Sequence, residues 1–185
     1  PGTVDFTSMT PPSSNPSTFT LRDGTPITLR LMVEADLPGL EWEGEYSHFR
    51  QLYREHYESA CSGNMLIWVA VSPTGKIVGQ VFLLLMARQP EVADGIHRAY
   101  LFSFRIRPEH RNQGLGSFML SFVDVELKKR GFTSIRLNVV RANSQARKLY
   151  ERHGYHLIGP DPGVWRYIDN NGQWQTVREP AWKMQ

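Results

Sequence analysis

Ile106-Arg107-Pro108-Glu109-His110-Arg111-Asn112-Gln113-Gly114-Leu115-Gly116-Ser117 lies between a stretch that alternates and a stretch of helical period. Before it, residues 100–107 set Tyr100, Phe102, Phe104 and Ile106 on one face and Leu101, Ser103 and Arg105 on the other, which predicts a strand. After it, Leu115, Phe118, Met119, Phe122, Val123 and Leu127 form one helical stripe over residues 114–130. Lys128, Lys129 and Arg130 complement the negative end of that helix, and Gly131 supplies its stop. Strand, tight turn and helix in this order leave the first helical N–H groups unpaired at the positive end of the dipole. Gly114 and Gly116 let the backbone close around a ligand without Cβ clashes. Together they predict a pocket of N–H donors suited to a pyrophosphate, with Arg105, Arg107 and Arg111 adding positive charge. From this segment alone, a plain glycine-containing turn before a helix reads the same way. No Lys-Ser/Thr follows the second glycine, which excludes a P-loop, and Met119 stands where a dinucleotide fingerprint needs its third glycine.

A second block settles the choice. Leu137-Asn138-Val139-Val140-Arg141-Ala142-Asn143 reads as a strand (residues 134–140) running into a helix cap. The helix over residues 144–153 carries Leu149-Tyr150-Glu151 and is stopped by Gly154 before Tyr155. With both blocks in this order and at this separation, residues 100–158 resemble the GNAT superfamily of acyl-CoA-dependent N-acetyltransferases. The first match is Arg111-x-x-Gly114-x-Gly116. The second is Asn143…Leu149-Tyr150-Glu151…Gly154-Tyr155.

The resemblance implies a mixed α/β (α+β) fold: a mixed central sheet flanked by helices, in which two neighbouring parallel strands, here 100–107 and 134–140, splay to form a cleft for acetyl-CoA. It implies that backbone groups of Phe104, Arg105 and Ile106 hold the pantetheine arm. Backbone N–H groups of Arg111, Asn112, Gln113, Gly114, Leu115, Gly116 and Ser117 would receive the pyrophosphate. Asn143 would reach the pantetheine as well as cap its helix, although capping alone also accounts for an Asn there. Tyr150 stands at the family's proton-donor position, and also on the apolar Ala146/Leu149/Tyr150/His153 face where packing alone would account for it; a phenol of ordinary pKa near 10 suits a thiolate leaving group. The implied activity is transfer of acetyl from acetyl-CoA to a primary amine by direct attack. The amine could be a small molecule, a peptide N-terminus or a lysine. The alternative is a non-catalytic CoA-binding sensor. No metal is implied.

The general base stays open. Where some members place a glutamate early in the central strand, this chain has Tyr100, and where ribosomal-protein N-terminal acetyltransferases carry one in the next strand it has Asn138. Glu43, Glu45, His48 and His97 are substitutes that also read as ordinary surface residues, and a water chain needs no dedicated base.

Farther out, residues 27–32 read as an edge strand, and residues 37–60 as two helical stretches rich in acids and aromatics. Residues 65–72 and 76–87 form a hairpin about Pro73-Thr74-Gly75. Residues 155–158 resume a strand, and 164–168 and 173–177 flank Asn171-Gly172 as a second hairpin. Trp165, Tyr167 and Trp174 make that hairpin aromatic, fit for packing, for covering an acceptor or for a dimer contact. Residues 1–20, rich in Pro, Ser and Thr, read as a loose tail, and residues 21–185 as one domain.

The 185 residues carry 21 Lys+Arg against 18 Asp+Glu, a net charge of +3 that gives no more than a weak expectation of nucleic-acid binding. The single cysteine, Cys61, allows no internal disulfide, and no Cys/His cluster has zinc spacing. The longest apolar run, residues 81–87, is far short of the ~20 residues that cross a bilayer. A cytoplasmic monomer or homodimer acting on an amine, with neither nucleic acid nor membrane as partner, is the expectation.

Overall fold

A computed structural model describes residues 15–185. The expected tail therefore lies outside the described residues over positions 1–14. Its last part departs from the expectation: Ser17–Thr20 forms the first strand, β1, paired antiparallel to β2 (Pro26–Leu31). Phe19 supplies the reason, stacking on Phe118 with ring centroids 4.8 Å apart. The segment at 27–32 is thus an interior strand, and β1 takes the edge.

The predicted helical stretch at 37–60 is only half α-helical. Glu34–Glu41 and Ser47–Phe49 are 3-10 turns, and the α-helix α1 occupies Arg50–Cys61. Pro38 removes a backbone donor from the first turn, and Trp42 and Glu43 take positive φ. The chain continues with β3 (Met65–Val71), β4 (Ile77–Leu84), β5 (Arg98–Ile106), α2 (Leu115–Lys129), β6 (Ser134–Val140), α3 (Ser144–Arg152) and β7 (Leu157–Asp161). The hairpin β8 (Val164–Ile168) and β9 (Trp174–Arg178) precedes β10 (Ala181–Met184). The last of these, not expected from the sequence, inserts antiparallel between β6 and β7.

The eight-stranded sheet runs β1-β2-β3-β4-β5-β6-β10-β7, and β8–β9 forms a separate two-stranded sheet. All pairs of the large sheet are antiparallel except β5–β6. Both faces of the centre are covered, so β3 is apolar at every position. Leu66, Trp68 and Ala70 face a cluster with Leu115, Met119, Val123 and Tyr150 from α2 and α3. Met65, Ile67 and Val69 face Leu40, Phe49 and Tyr53 from the 3-10 turns and α1. Each of these large side chains, when fully buried, contributes about 1.5–3 kcal/mol. No helix among the described residues is long and apolar enough to cross a membrane.

Candidate active site

β5 pairs with β6 only from Arg98↔Ser134 to Leu101↔Leu137. Beyond that point β6 keeps β10 as its partner, through Leu137, Asn138, Val139 and Val140, while β5 stays on β4. The two parallel strands therefore part at their C-terminal ends, as the resemblance implied. The β4–β5 register also shifts between Gln80↔Arg105 and Phe82↔Phe102, so Ser103 and Phe104 together face Val81. Ser103 takes φ +48, and the extra residue is a β-bulge.

The bulge overturns the expected alternation. Phe102 packs with the α1-side cluster, whereas Phe104 and Ile106 pack on the α2/α3 side. Arg105 and Arg107 accordingly extend to the α1 face and do not gather at the glycine turn. Arg107 donates Nε to Ile77 O at 2.7 Å and its Nη atoms to both oxygens of Glu43 at 2.7 and 3.2 Å. Its guanidinium also lies 4.9 Å from the Trp42 ring. Of the three arginines, Arg111 alone remains exposed on the turn, its Nε donating to Ile106 O at 2.8 Å.

The turn at the open end of the strands is a row of donors. Phe118 N is the first to reach a carbonyl, Gly114 O at 3.0 Å. The N–H groups of Asn112, Gln113, Gly114, Leu115, Gly116 and Ser117 make no hydrogen bond among the described residues. Asn112 and Gly114 adopt positive φ, +59 and +90, which curls these groups inward. A Cβ at Gly116 would come within 3.2 Å of Leu149 Cδ2 and 3.4 Å of Ile106 Cδ1. The missing side chain thus seats the first turn of α2 against α3 and β5.

Asn143 caps α3, its Oδ1 accepting from Ala146 N at 3.0 Å. Two helical turns on, Tyr150 is buried, its ring 6.3 Å from Phe104 and 5.7 Å from Tyr155. Burial pushes its hydroxyl well above the ordinary range, with negative charge on Tyr100 a lesser contribution. Tyr100 itself is raised to about 12 by burial and by the Asp161 carboxylate.

The α1 face of the bulge holds a group of side chains that the motifs did not reveal. Arg105 Nη1 donates to Tyr53 Oη at 2.7 Å, and its guanidinium lies 4.1 Å from the Tyr46 ring and 5.4 Å from Phe49. Gln80, opposite Arg105 and fully buried, donates Nε2 to Ser103 Oγ at 3.0 Å, leaving its oxygen unpartnered. His56 lies edge-on between Phe82 and Phe102, with Nδ1 buried and unpartnered. Burial lowers it to about 4. The β8–β9 hairpin closes this side, Trp165 and Tyr167 meeting Phe49 at 6.0 and 4.9 Å.

Among the base candidates, Glu43 is occupied by Arg107 and lies 3.8 Å from Lys76, and Arg107 holds its carboxyl below the usual range. His48 lies tilted between Phe49 and Tyr167, with ring centroids 4.1 and 6.1 Å away, at the edge of the aromatic wall. Glu45 is exposed. His97 precedes β5 at the paired end of the strands, its carbonyl accepting from Thr133 and Ser134, which removes it from the open cleft.

The acetyltransferase (GNAT) family model matches residues 33–155. The ribosomal protein bS18-alanine N-acetyltransferase of Escherichia coli is 36% identical over 61 residues, which are 33% of this chain and 41% of that protein. The match thus spans less than half of that relative's length. The solved structure of the Escherichia coli ribosomal-protein-S18-alanine N-acetyltransferase aligns with TM-score 0.63 at 22% identity, over 85% of this chain and 91% of that one. Arabidopsis thaliana NAA60 in complex with acetyl-CoA aligns with TM-score 0.61 at 16% identity, over 85% and 96%. Vibrio cholerae spermidine/spermine N-acetyltransferase SpeG gives 0.62 at 20%, over 85% and 90%.

Proposed function

The chain belongs to the acetyltransferase (GNAT) family, and on that premise we propose that it transfers the acetyl group of acetyl-CoA to a primary amine by direct attack. The observation that carries this reading is the row of six unpaired N–H groups at residues 112–117, opening where β5 and β6 part. Helix N-termini and inward-curled amides receive phosphate oxygens, so this row takes the pyrophosphate, with Arg111 at its rim. The free edge of β5 beyond Leu101 then takes the pantetheine, through backbone groups of Phe104, Arg105 and Ile106. Asn143 reaches the same arm from the start of α3.

The acetyl carbonyl comes to the bulge, with the amine arriving from the α1 face. The neutral amine forms the C–N bond and the C–S bond breaks. One proton leaves the nitrogen and one reaches the departing sulfur, giving an amide and CoA thiol. Tyr150 donates the second proton. Its depth in the protein keeps it protonated and therefore in donor form.

The test couples acetyl-CoA to a broad panel of primary amines and follows free thiol. Amine-dependent thiol release with a matching amide product is expected. Acetyl-CoA binding with no release across the panel would overturn the transfer reading.

A further inference from the structure

We propose that the acceptor is a small amine bearing a carboxylate a few bonds from its nitrogen, as in a free amino acid, and that Arg105 binds that carboxylate. The inference rests on the transfer reading and names the substrate class of the same site. Arg105 and Arg107 lie two residues apart on one face, yet their surroundings differ. Arg107 is saturated by Glu43 and the Ile77 carbonyl. Arg105 has no carboxylate within 4 Å among the described residues, and its Nε and Nη2 make no hydrogen bond to the protein there. Glu45, beside the Tyr46 hydroxyl, does not reach it.

The guanidinium is nevertheless fixed. The Tyr53 hydroxyl holds one nitrogen at 2.7 Å, and the Tyr46 ring supports its face at 4.1 Å. A planar fork held in place, with donors to spare and an aromatic wall around it, fits a carboxylate. The bulge sets this fork one residue from the Phe104 backbone, at the place where the acetyl carbonyl comes to rest in the transfer reading. Opposite it, Gln80 is fully buried and donates to Ser103 Oγ at 3.0 Å, which fixes the bulge that carries the fork. A donor fork beside the point of transfer complements a molecule that carries a carboxylate a few bonds from its amine. Glu43, one acid that would have suited a cationic acceptor, is committed to Arg107.

The experiment compares each of the twenty amino acids with its carboxamide, and with polyamines, as acetyl acceptors for the wild-type enzyme and for Arg105→Met and Arg105→Lys. At least one amino acid is expected to exceed its amide in kcat/KM by about tenfold or more, the size of one good charge-assisted bond. Arg105→Met should collapse that ratio toward one, mainly through KM, and Arg105→Lys should restore part of it. Amides or polyamines matching or exceeding the amino acids in the wild type would overturn the inference while leaving acetyl transfer intact, and this comparison needs no variant to fold. A ratio that survives Arg105→Met would overturn the role of Arg105. If no amine of any kind releases thiol, the transfer reading falls and this inference falls with it.

Discussion

Tyr150→Phe is expected to lower kcat for acetyl transfer by about 10²-fold or more, the lower end of what a positioned proton donor contributes. Acetyl-CoA affinity should stay nearly constant. The ring makes the contacts that hold the last turn of α3, meeting Phe104 and Tyr155, and phenylalanine keeps them. Only the hydroxyl is lost. Burial raises that hydroxyl's pKa, which would make it a poor acid toward a solvated thiolate. A thiolate leaving into the same enclosed cleft is equally stripped of water and correspondingly more basic, so the two remain matched. The raised value also means that Tyr150 stays protonated through neutral and mildly alkaline pH. The alkaline limb of the rate profile therefore does not fall through Tyr150 ionisation below the ordinary tyrosine range. Measuring kcat and KM separately, with calorimetric binding of acetyl-CoA, checks both parts. Unchanged turnover in Tyr150→Phe would remove the proton-donor role.

Acid should destabilise the fold through His56. Its pKa is about 4 in the folded protein against 6.5 for an ordinary histidine, and burial alone is the cause. Between these values the unfolded chain binds a proton that the folded protein refuses, so stability is full above about pH 6.5 and falls as pH drops toward 4. At 1.36 kcal/mol per tenfold change in proton affinity, the loss amounts to about 3 kcal/mol. Neither Phe82 nor Phe102, the rings that flank it, can compensate a charge there. Urea unfolding of wild type and His56→Gln from pH 7 to 4 isolates this contribution. The wild type should lose about 3 kcal/mol more than the variant, in which position 56 no longer titrates. Parallel loss in the two proteins would show that His56 is not held neutral.

The proposed cofactor half of the site is legible because it is local in sequence. The turn from Ile106 to Ser117 contains its own strand end, glycines and helix start, and the block from Asn138 to Tyr155 contains its own cap, so neither needed knowledge of distant partners. The proposed acceptor half is assembled from Tyr46, Tyr53, His56, Gln80, Arg105 and Trp165, four separate parts of the chain. One signal was available there: Gln80 is the only polar side chain in the run from Ile77 to Leu84, and a polar group in a doubly buried strand is informative. The bulge at Ser103 left no such mark. An alternation continued through it assigned Phe102 to the wrong face, and with it went the placement of Arg105 and Arg107. Excess charge that looked like phosphate-binding charge is divided instead between a structural clamp at Arg107 and the proposed acceptor side at Arg105. β10 was missed because Ala181-Trp182-Lys183-Met184 is short and acquires strand character from pairing with β6 and β7 on both sides.

Amide hydrogen exchange resolved to single residues, with and without acetyl-CoA, tests the account most directly. Without ligand, the amides of residues 112–117 have no hydrogen-bond partner among the described residues and should exchange rapidly, in contrast to Met119 and Leu120 on the same helix. With acetyl-CoA present, protection is expected at residues 112–117 and along β5 beyond the bulge, with little change in the β8–β9 hairpin. Saturating acetyl-CoA that left residues 112–117 as open to exchange as before would contradict the account.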